Sequence, residues 1–357
     1  MQIKDIVYGN GIVKAVIKGD KGIEYTTSYD SQYNKTWCTC PWWVLNKEVD
    51  TCKHILYLLD NIEFDKMKPK KKYKNFLCGC LTIDTLMGSG FPQGSVTAVF
   101  GESGQGKTLL TAQLALSCIK NLDKDVIIIE TEGNREQDYL ELLNRFKDRF
   151  DLTEDEIRKK VHFHAIIEDF QKQSKAMVDL LKLVGYETEI DRSKKGDKFT
   201  ITFKDCKPRL KEDELKRAGM IVIDSLTKPL KASIGHKTQN LPARAELTAR
   251  FFARLYSIAS NYDIAVIINH HASVNKAMAF ARDFGSPYGG DEVFYNSKYI
   301  IEFINSDMTA RAKFADCEHC KGKGAKRIML IKHPYQPITS QMFPIHLKNN
   351  FGFTDDL

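Results

Sequence analysis

No apolar stretch of the chain approaches the ~20 residues a membrane-spanning helix requires, and its opening, MQIKDIVYGN, has no hydrophobic region of the signal-peptide kind. Both absences point away from a membrane or secreted protein and toward a cytoplasmic one. Strong charge of either sign is lacking too: a net +7 over 357 residues permits a polyanionic partner without demonstrating one. Tryptophan is scarce, and its three residues, Trp37, Trp42 and Trp43, all fall in one short stretch. The remaining composition, 43% hydrophobic and 28% charged, is that of an ordinary soluble protein with room for one large domain and a smaller one.

Cysteine is the residue with pattern. Without a secretion signal, nine cysteines in Cys-x-Cys and Cys-x-x-Cys spacing suggest metal before disulfides. In TWCTCPWWVLNKEVDTCKHILYLLD, Cys38 and Cys40 form one ligand pair, and Cys52 and His54 form the other. Two pairs a loop apart can close a tetrahedral zinc site, and four protein ligands leave no open position, so the role is structural. Upstream, Ile12, Val13, Val16, Ile17, Ile23 and Tyr25 flank Gly19-Asp20-Lys21-Gly22, which predicts a β-hairpin; His54 to Leu59 predicts a short helix packed on it. The tryptophans either cover the metal or offer aromatic faces to a partner or to unstacked bases. The C-x-C…C-x-H pattern, its hairpin and Pro41 together resemble the SWIM zinc finger, a family associated with DNA binding and protein–protein contact. The resemblance implies an adaptor module over residues 1–64.

Residues 65–75, DKMKPKKKYKN, carry six lysines and little to bury. They read as a solvated linker, or alternatively as a contact for a phosphate backbone. Phe76 is a candidate for docking on a neighbouring subunit.

The rest of the chain is organised around GESGQGKT, Gly101–Thr108, between the apolar run SVTAVF and a helical pattern at Leu109, Leu110, Leu114 and Leu116. Strand, glycine-rich loop and helix form the context in which a G-x-x-x-x-G-K-T sequence binds nucleotide phosphates. Gly101, Gly104 and Gly106 let backbone N–H groups of the loop, including those of Glu102, Ser103 and Gln105, curl around the anion. Lys107 would reach the β and γ phosphates, and the Thr108 hydroxyl would ligate Mg2+. Further buried-strand patterns at DVIIIETEGN, GMIVIDSL, IAVIIN, KYIIEFI and KRIMLIKHPYQP predict an α/β fold with a mostly parallel sheet. Function in such sheets gathers at the carboxyl ends of strands, where Glu132 could orient an attacking water, with Glu130 as its neighbouring candidate, and Asp224 could hold Mg2+. Glu187 to Lys216 reads as an insertion containing a hairpin at KFTITF, and a second insertion spans about 306–326.

From Phe76 onward the chain is similar to the RecA/RadA ATPase core, closest to the archaeal RadA and RadB recombinases. The likeness rests on LTIDTLMGSGFPQGSVTAVFGESGQGKT, IIIETEGN, VIDSLT, LPARAELTARF, VIINHH, SPYGG and RIMLIKHP. It implies Glu132 as the water-activating carboxylate, Asp224 as the Walker B aspartate, Arg244 as a DNA contact in a first loop, and His271–Gly290 as a second DNA loop. In that second loop Lys276, Phe280, Arg282 and Phe284 interleave charge with aromatic faces, as single-strand binding requires; a basic surface loop with two core phenylalanines has the same composition. Asn269-His270 stands where the family usually has an Asn-Gln γ-phosphate sensor. Lys332-His333 resembles a Lys-His pair of RadB- and KaiC-like proteins, in which the lysine reaches a neighbouring subunit's nucleotide.

Cys317 and Cys320 form one Cys-x-x-Cys pair, which Cys78 and Cys80 could complete if near. The sequence expectation is therefore a zinc module joined to a RecA-like core that binds ATP and Mg2+. Such a protein would hydrolyse ATP slowly under the influence of DNA, preferably single-stranded, and associate with itself or a recombinase. The alternatives are an ATP-binding scaffold with little turnover, and a KaiC-like or motor ATPase that does not act on DNA.

Overall fold

A computed structural model describes residues 1–9, 12–30, 35–42, 52–62, 75–88, 90–166, 175–192, 199–234, 240–272, 291–305, 308–313, 315, 325–335, 342–348 and 350–354. The chain divides into two units, Met1–Tyr73 and Lys74–Leu357.

In the first unit, β1 (Gln2–Gly9), β2 (Ile12–Lys18), β3 (Glu24–Asp30) and β4 (Lys35–Cys38) pair in sequence order as an antiparallel sheet. β2 and β3 form the predicted hairpin, with Ile17 opposite Tyr25 and Val13 opposite Tyr29. β1 is an additional strand that the sequence reading missed. Alternation along β2 gathers Val13, Ala15 and Ile17 on one face, and the helix Lys53–Asn61 covers it with Leu58, followed by Ile62. Among the described residues five buried side chains make that core, which is small for an independently folding unit.

The second unit is built on a nine-stranded sheet. Its parallel strands are β7 (Ser95–Gly101), β8 (Asp125–Glu130), β9 (Val161–Ala165), β12 (Ala218–Asp224), β13 (Ala265–His271) and β14 (Tyr299–Ile304). Three antiparallel strands extend it: β15 (Ala325–Lys332), β16 (Phe343–Lys348) and β17 (Gly352–Thr354). The order across the sheet is β17-β16-β15-β14-β7-β13-β12-β8-β9. Its central strands are buried along their whole length, which is why they read as continuous apolar runs rather than alternating ones. Val96, Ala98 and Phe100 of β7 enter the core on one face, beneath the helix Leu241–Tyr262, while Val99 enters the core on the other, beneath the helix Lys107–Leu122.

β8 follows β7 in sequence yet lies three places away, because β13 and β12 fill the gap. The register then sets Gly101 opposite His271, and Asp224 opposite both Asn269 and Glu130. The carboxyl ends of four strands thus open on one crevice, where α/β sheets place their ligands.

Several expectations change here. Phe76 lies in a short pair of strands, β5 (Asn75–Phe76) and β6 (Phe91–Pro92), and packs on Phe91 with only 1% of its surface exposed. Its own core uses it, so it does not project toward a neighbour. The insertion hairpin is β10 (Tyr186–Arg192) paired with β11 (Phe199–Asp205); Arg254 and Arg250, from the helix Leu241–Tyr262, lie over its Tyr186 and Phe203 rings. The linker residues 65–74 and most of the 306–326 insertion, Cys317 and Cys320 included, lie outside the described residues. Among the described residues no helix is long and apolar enough to cross a membrane.

Candidate functional site

The loop after β7 needs glycine for two different reasons. A Cβ on Gly101 would lie 2.5 Å from the Phe303 carbonyl oxygen, and one on Gly106 would lie 2.5 Å from Cζ of Phe353; both residues also hold positive φ, 154° and 101°. Gly106 caps the helix that starts at Lys107, so the unpaired N–H groups and positive end of that helix face the loop. Lys107 is itself buried and donates to the carbonyls of Gly101 (3.0 Å) and Glu102 (2.8 Å). Burial lowers its pKa, while Asp224 and Glu132 act in the opposite sense. Asn305 at the end of β14 fastens the loop from outside, accepting from Gln105 and donating to Glu102 (2.6 Å).

The crevice encloses about 210 Å³, lined by Ser103, Gly104, Lys107, Thr108, Glu132, Asp224 and His271 among others. That is less than a pocket for a whole drug-sized ligand and suits a phosphate tail with a cation. The Thr108 hydroxyl donates to Asp224 Oδ2 at 2.7 Å. Burial raises the Asp224 pKa, and the Thr108 hydrogen bond works against that rise. A hydroxyl and a carboxylate on adjoining elements are the oxygen donors that a hard divalent cation such as Mg2+ takes.

The structure separates two glutamates that the sequence left side by side. Glu130 is fully buried and accepts from the backbone N–H of Glu132 (2.7 Å) and Gly133 (2.9 Å) and from Asn134 Nδ2 (3.0 Å). Both its oxygens are spent on building the turn. Glu132 lines the crevice; its Oε1 accepts from His271 Nε2 (2.9 Å) and Ser225 Oγ (2.7 Å), and Oε2 takes no hydrogen bond among the described residues. These bonds, led by that of His271, hold its carboxyl down at about 2.

The first unit holds a second cluster. The ligand atoms of Cys38, Cys40, Cys52 and His54 all lie within 4.8 Å of one another, and all four residues are buried. His54 turns Nδ1 toward the thiols, 3.9 Å from Cys38 Sγ, and its buried Nε2 has no hydrogen-bond partner among the described residues. Burial raises the pKa of the Cys38 and Cys52 thiols, and backbone N–H groups, that of Cys40 at Cys38 among them, work against the rise. Four convergent N and S donors fit zinc.

The crevice is that of a known family: a protein-family model described as an AAA domain matches residues 82–277, more than half of the chain. The chain belongs to the AAA domain family. It is 26% identical over 265 residues to the DNA repair and recombination protein RadB of Methanococcoides burtonii, covering 74% of this chain and 91% of the relative. To the DNA repair and recombination protein RadA of Aeropyrum pernix it is 24% identical over 305 residues, covering 84% and 80%. To the DNA repair protein RAD51 of Saccharomyces cerevisiae it is 26% identical over 276 residues, covering 75% of this chain and 56% of the relative. The crystal structure of the RadB recombinase matches with a TM-score of 0.51 at 20% identity, covering 78% of this chain and 99% of that one, a likeness of fold. Together these support a RecA-like recombinase core.

The other site residues read from the sequence scatter, some of them beyond the matched AAA domain. Asn269, on β13, is buried in register with Asp224. His270 alternates to the opposite side of that strand and is fully buried, so His271, which the sequence reading did not single out, faces Glu132 instead. Arg244, expected at DNA, is only 6% exposed, because its place on the helix Leu241–Tyr262 turns it inward. Lys332 donates to the Phe294 carbonyl (2.6 Å). It pairs in register with Ile300, near the start of β14, whereas Gly101 pairs with Phe303 near its end; Lys332 therefore lies at the opposite end of the sheet from its own crevice. Lys276, Phe280, Arg282 and Phe284 lie outside the described residues. Cys78 and Cys80 are buried in a turn organised by Asp84 and belong to no described metal cluster.

Proposed function

We propose that this chain is a slow, Mg2+-dependent ATPase of the RecA type that acts in DNA recombination and repair as a recombinase paralogue or mediator. One observation carries the reading: Lys107, the Thr108–Asp224 pair and a Glu132 carboxylate with one uncommitted oxygen converge on the glycine-rich loop. The relatives, named as DNA repair and recombination proteins, support the setting.

The backbone of Gly101–Thr108, through Glu102, Ser103, Gly104, Gln105 and Gly106, cradles the phosphates, and Lys107 exchanges its two carbonyl bonds for phosphate oxygens. Thr108 and Asp224 hold Mg2+, which when bound neutralises charge on the phosphates. Glu132 is ionised at neutral pH but too weakly basic to take up a proton, so it orients the attacking water through Oε2; phosphoryl transfer asks for little more. Asn269 and His271 report the state of the site to the residues that follow β13, where Lys276, Phe280 and Arg282 meet single-stranded DNA. Lys332 cannot serve its own crevice and acts on a second copy's nucleotide. The first unit is a SWIM-type zinc adaptor, with the metal on Cys38, Cys40, Cys52 and His54, joined by the 65–75 linker.

The double hold on Glu132 Oε1 favours a second reading, an ATP-binding scaffold that hardly turns over. Turnover measured with and without single-stranded DNA across a salt series separates the two. DNA-stimulated hydrolysis that weakens as salt rises, and that Glu132→Gln abolishes without loss of ATP binding, is expected. ATP binding with no measurable turnover in the wild type, and so none for Glu132→Gln to lose, would establish the scaffold, and indifference to DNA at low salt would overturn the repair setting.

A further inference from the structure

β17 is the outermost strand of the sheet, yet it packs against the helix that follows the phosphate loop. Gln113 of that helix behaves toward it as a neighbouring strand would: Gln113 Oε1 accepts from the Phe353 N–H at 2.8 Å, and Gln113 Nε2 donates to the Phe353 carbonyl at 3.1 Å. Arg149 adds bonds to the carbonyls of Phe351 (2.8 Å) and Phe353 (2.9 Å), and its guanidinium lies 4.2 Å from the centre of the Phe351 ring. Gly352 is required for this approach, since a Cβ there would sit 2.5 Å from Gln113 Oε1.

Clamped in this way, the Phe353 side chain has one place to go. It is fully buried, 5.3 Å from the Phe303 ring at the end of β14, and its Cζ and Cε2 lie 2.5 and 3.1 Å from where a Cβ of Gly106 would be. The ring is the floor on which the loop's last glycine rests. Gly106 and Lys107 begin the helix whose N–H groups would receive phosphate, so the height of that floor sets where those groups point.

We infer that Phe353 is a positioning residue for the nucleotide site, and that β17 fixes the geometry of a phosphate loop that precedes it by most of the domain. The inference rests on the ATP-binding reading above. In it, Phe353 touches no nucleotide; it holds the backbone that does, and Gln113 and Arg149 hold it.

The test compares Phe353→Ala, Phe353→Leu and Phe251→Ala, the last removing an equally buried ring from the core on the other face of the sheet. ATP affinity, thermal unfolding without nucleotide, and amide hydrogen exchange across Gly104–Thr108 are measured on the full chain with its zinc. Phe353→Ala is expected to weaken ATP at least about tenfold and to speed exchange in the loop, because small displacements of a positioned group cost that much. Phe353→Leu, which keeps most of the volume, should show about a threefold loss with near wild-type unfolding. Phe251→Ala should lower the unfolding temperature and leave the affinity of the folded protein unchanged. If Phe353→Ala unfolds, Phe353→Leu decides alone: wild-type affinity and exchange in that variant would overturn the inference. Equal losses in Phe353→Ala and Phe251→Ala would overturn it as well, by reducing the ring to general stability. Wild-type protein that fails to bind ATP would instead remove the underlying reading.

Discussion

The two units of this chain are held together by different means. The second buries dozens of apolar side chains on both faces of a nine-stranded sheet; the first has, among the described residues, five in its apolar core and, beside it, three cysteines and a histidine within ligand distance of one another. At roughly 25 cal/mol per Å² of buried apolar surface, the larger unit can fold on burial alone, whereas a core the size of the smaller one leaves little above the entropy of ordering the chain. Metal ligation by the Cys/His cluster would supply what burial does not. The chemistry that would hold the first unit is therefore concentrated in four side chains, and that of the second is spread over a sheet.

Zinc removal should break this contrast most plainly. Structural zinc contributes on the order of 10 kcal/mol in small modules. Chelation, or Cys38→Ser, should therefore unfold the first unit, seen as loss of hydrogen-exchange protection over β2 and β3, while ATP binding by the second persists. Paired cavities come next. Leu58→Ala and Leu255→Ala remove the same atoms from fully buried positions, one in each unit, and each should cost about 2–5 kcal/mol. Only the former should weaken zinc retention, measured by competition with a chromogenic chelator.

A smaller effect belongs to His271. Glu132, held near 2 against an ordinary value of 4.5, adds stability that is complete above about pH 4.5 and is lost as pH falls toward 2. His271→Ala should cost about 1–2 kcal/mol near neutrality, since the ring supplies the largest share of that shift and the site is partly solvated. The gap from wild type in urea titrations should close between pH 4.5 and 2. Least of all, Lys332→Ala should leave turnover unchanged in dilute protein and lower it only at concentrations where copies associate.

What the sequence revealed, and what it hid, follows from how local each feature is. The phosphate loop was legible because its chemistry needs consecutive residues, and the Cys/His cluster because its ligands come in close pairs. The resemblance ranked Glu132 ahead of Glu130, but the physical reason, that Glu130 folds back on its own turn, lies in hydrogen bonds the sequence does not display. His271 escaped notice because strand alternation, not residue type, decides that it faces Glu132 and that His270 does not. Arg244 and Phe76 carry side chains suited to partners, but burial is a property of elements remote in sequence. β16 and β17 were unseen for a similar reason: short strands at a sheet edge have no periodicity to detect, and the role of Phe353 lies in a contact with residue 106.

The order of strands in the sheet has a bearing on how the molecule comes into being. β7, at its centre, is hydrogen-bonded on one side to residues near 265 and on the other to residues near 299, so its edges stay open while the chain is being synthesised. Pairings so distant in sequence close slowly and late. The hairpin and ligand cluster at the front of the chain are contiguous and can mature while the central strand still waits for its neighbours. Until those neighbours arrive, the apolar residues Val96 to Phe100 have no sheet to be buried in.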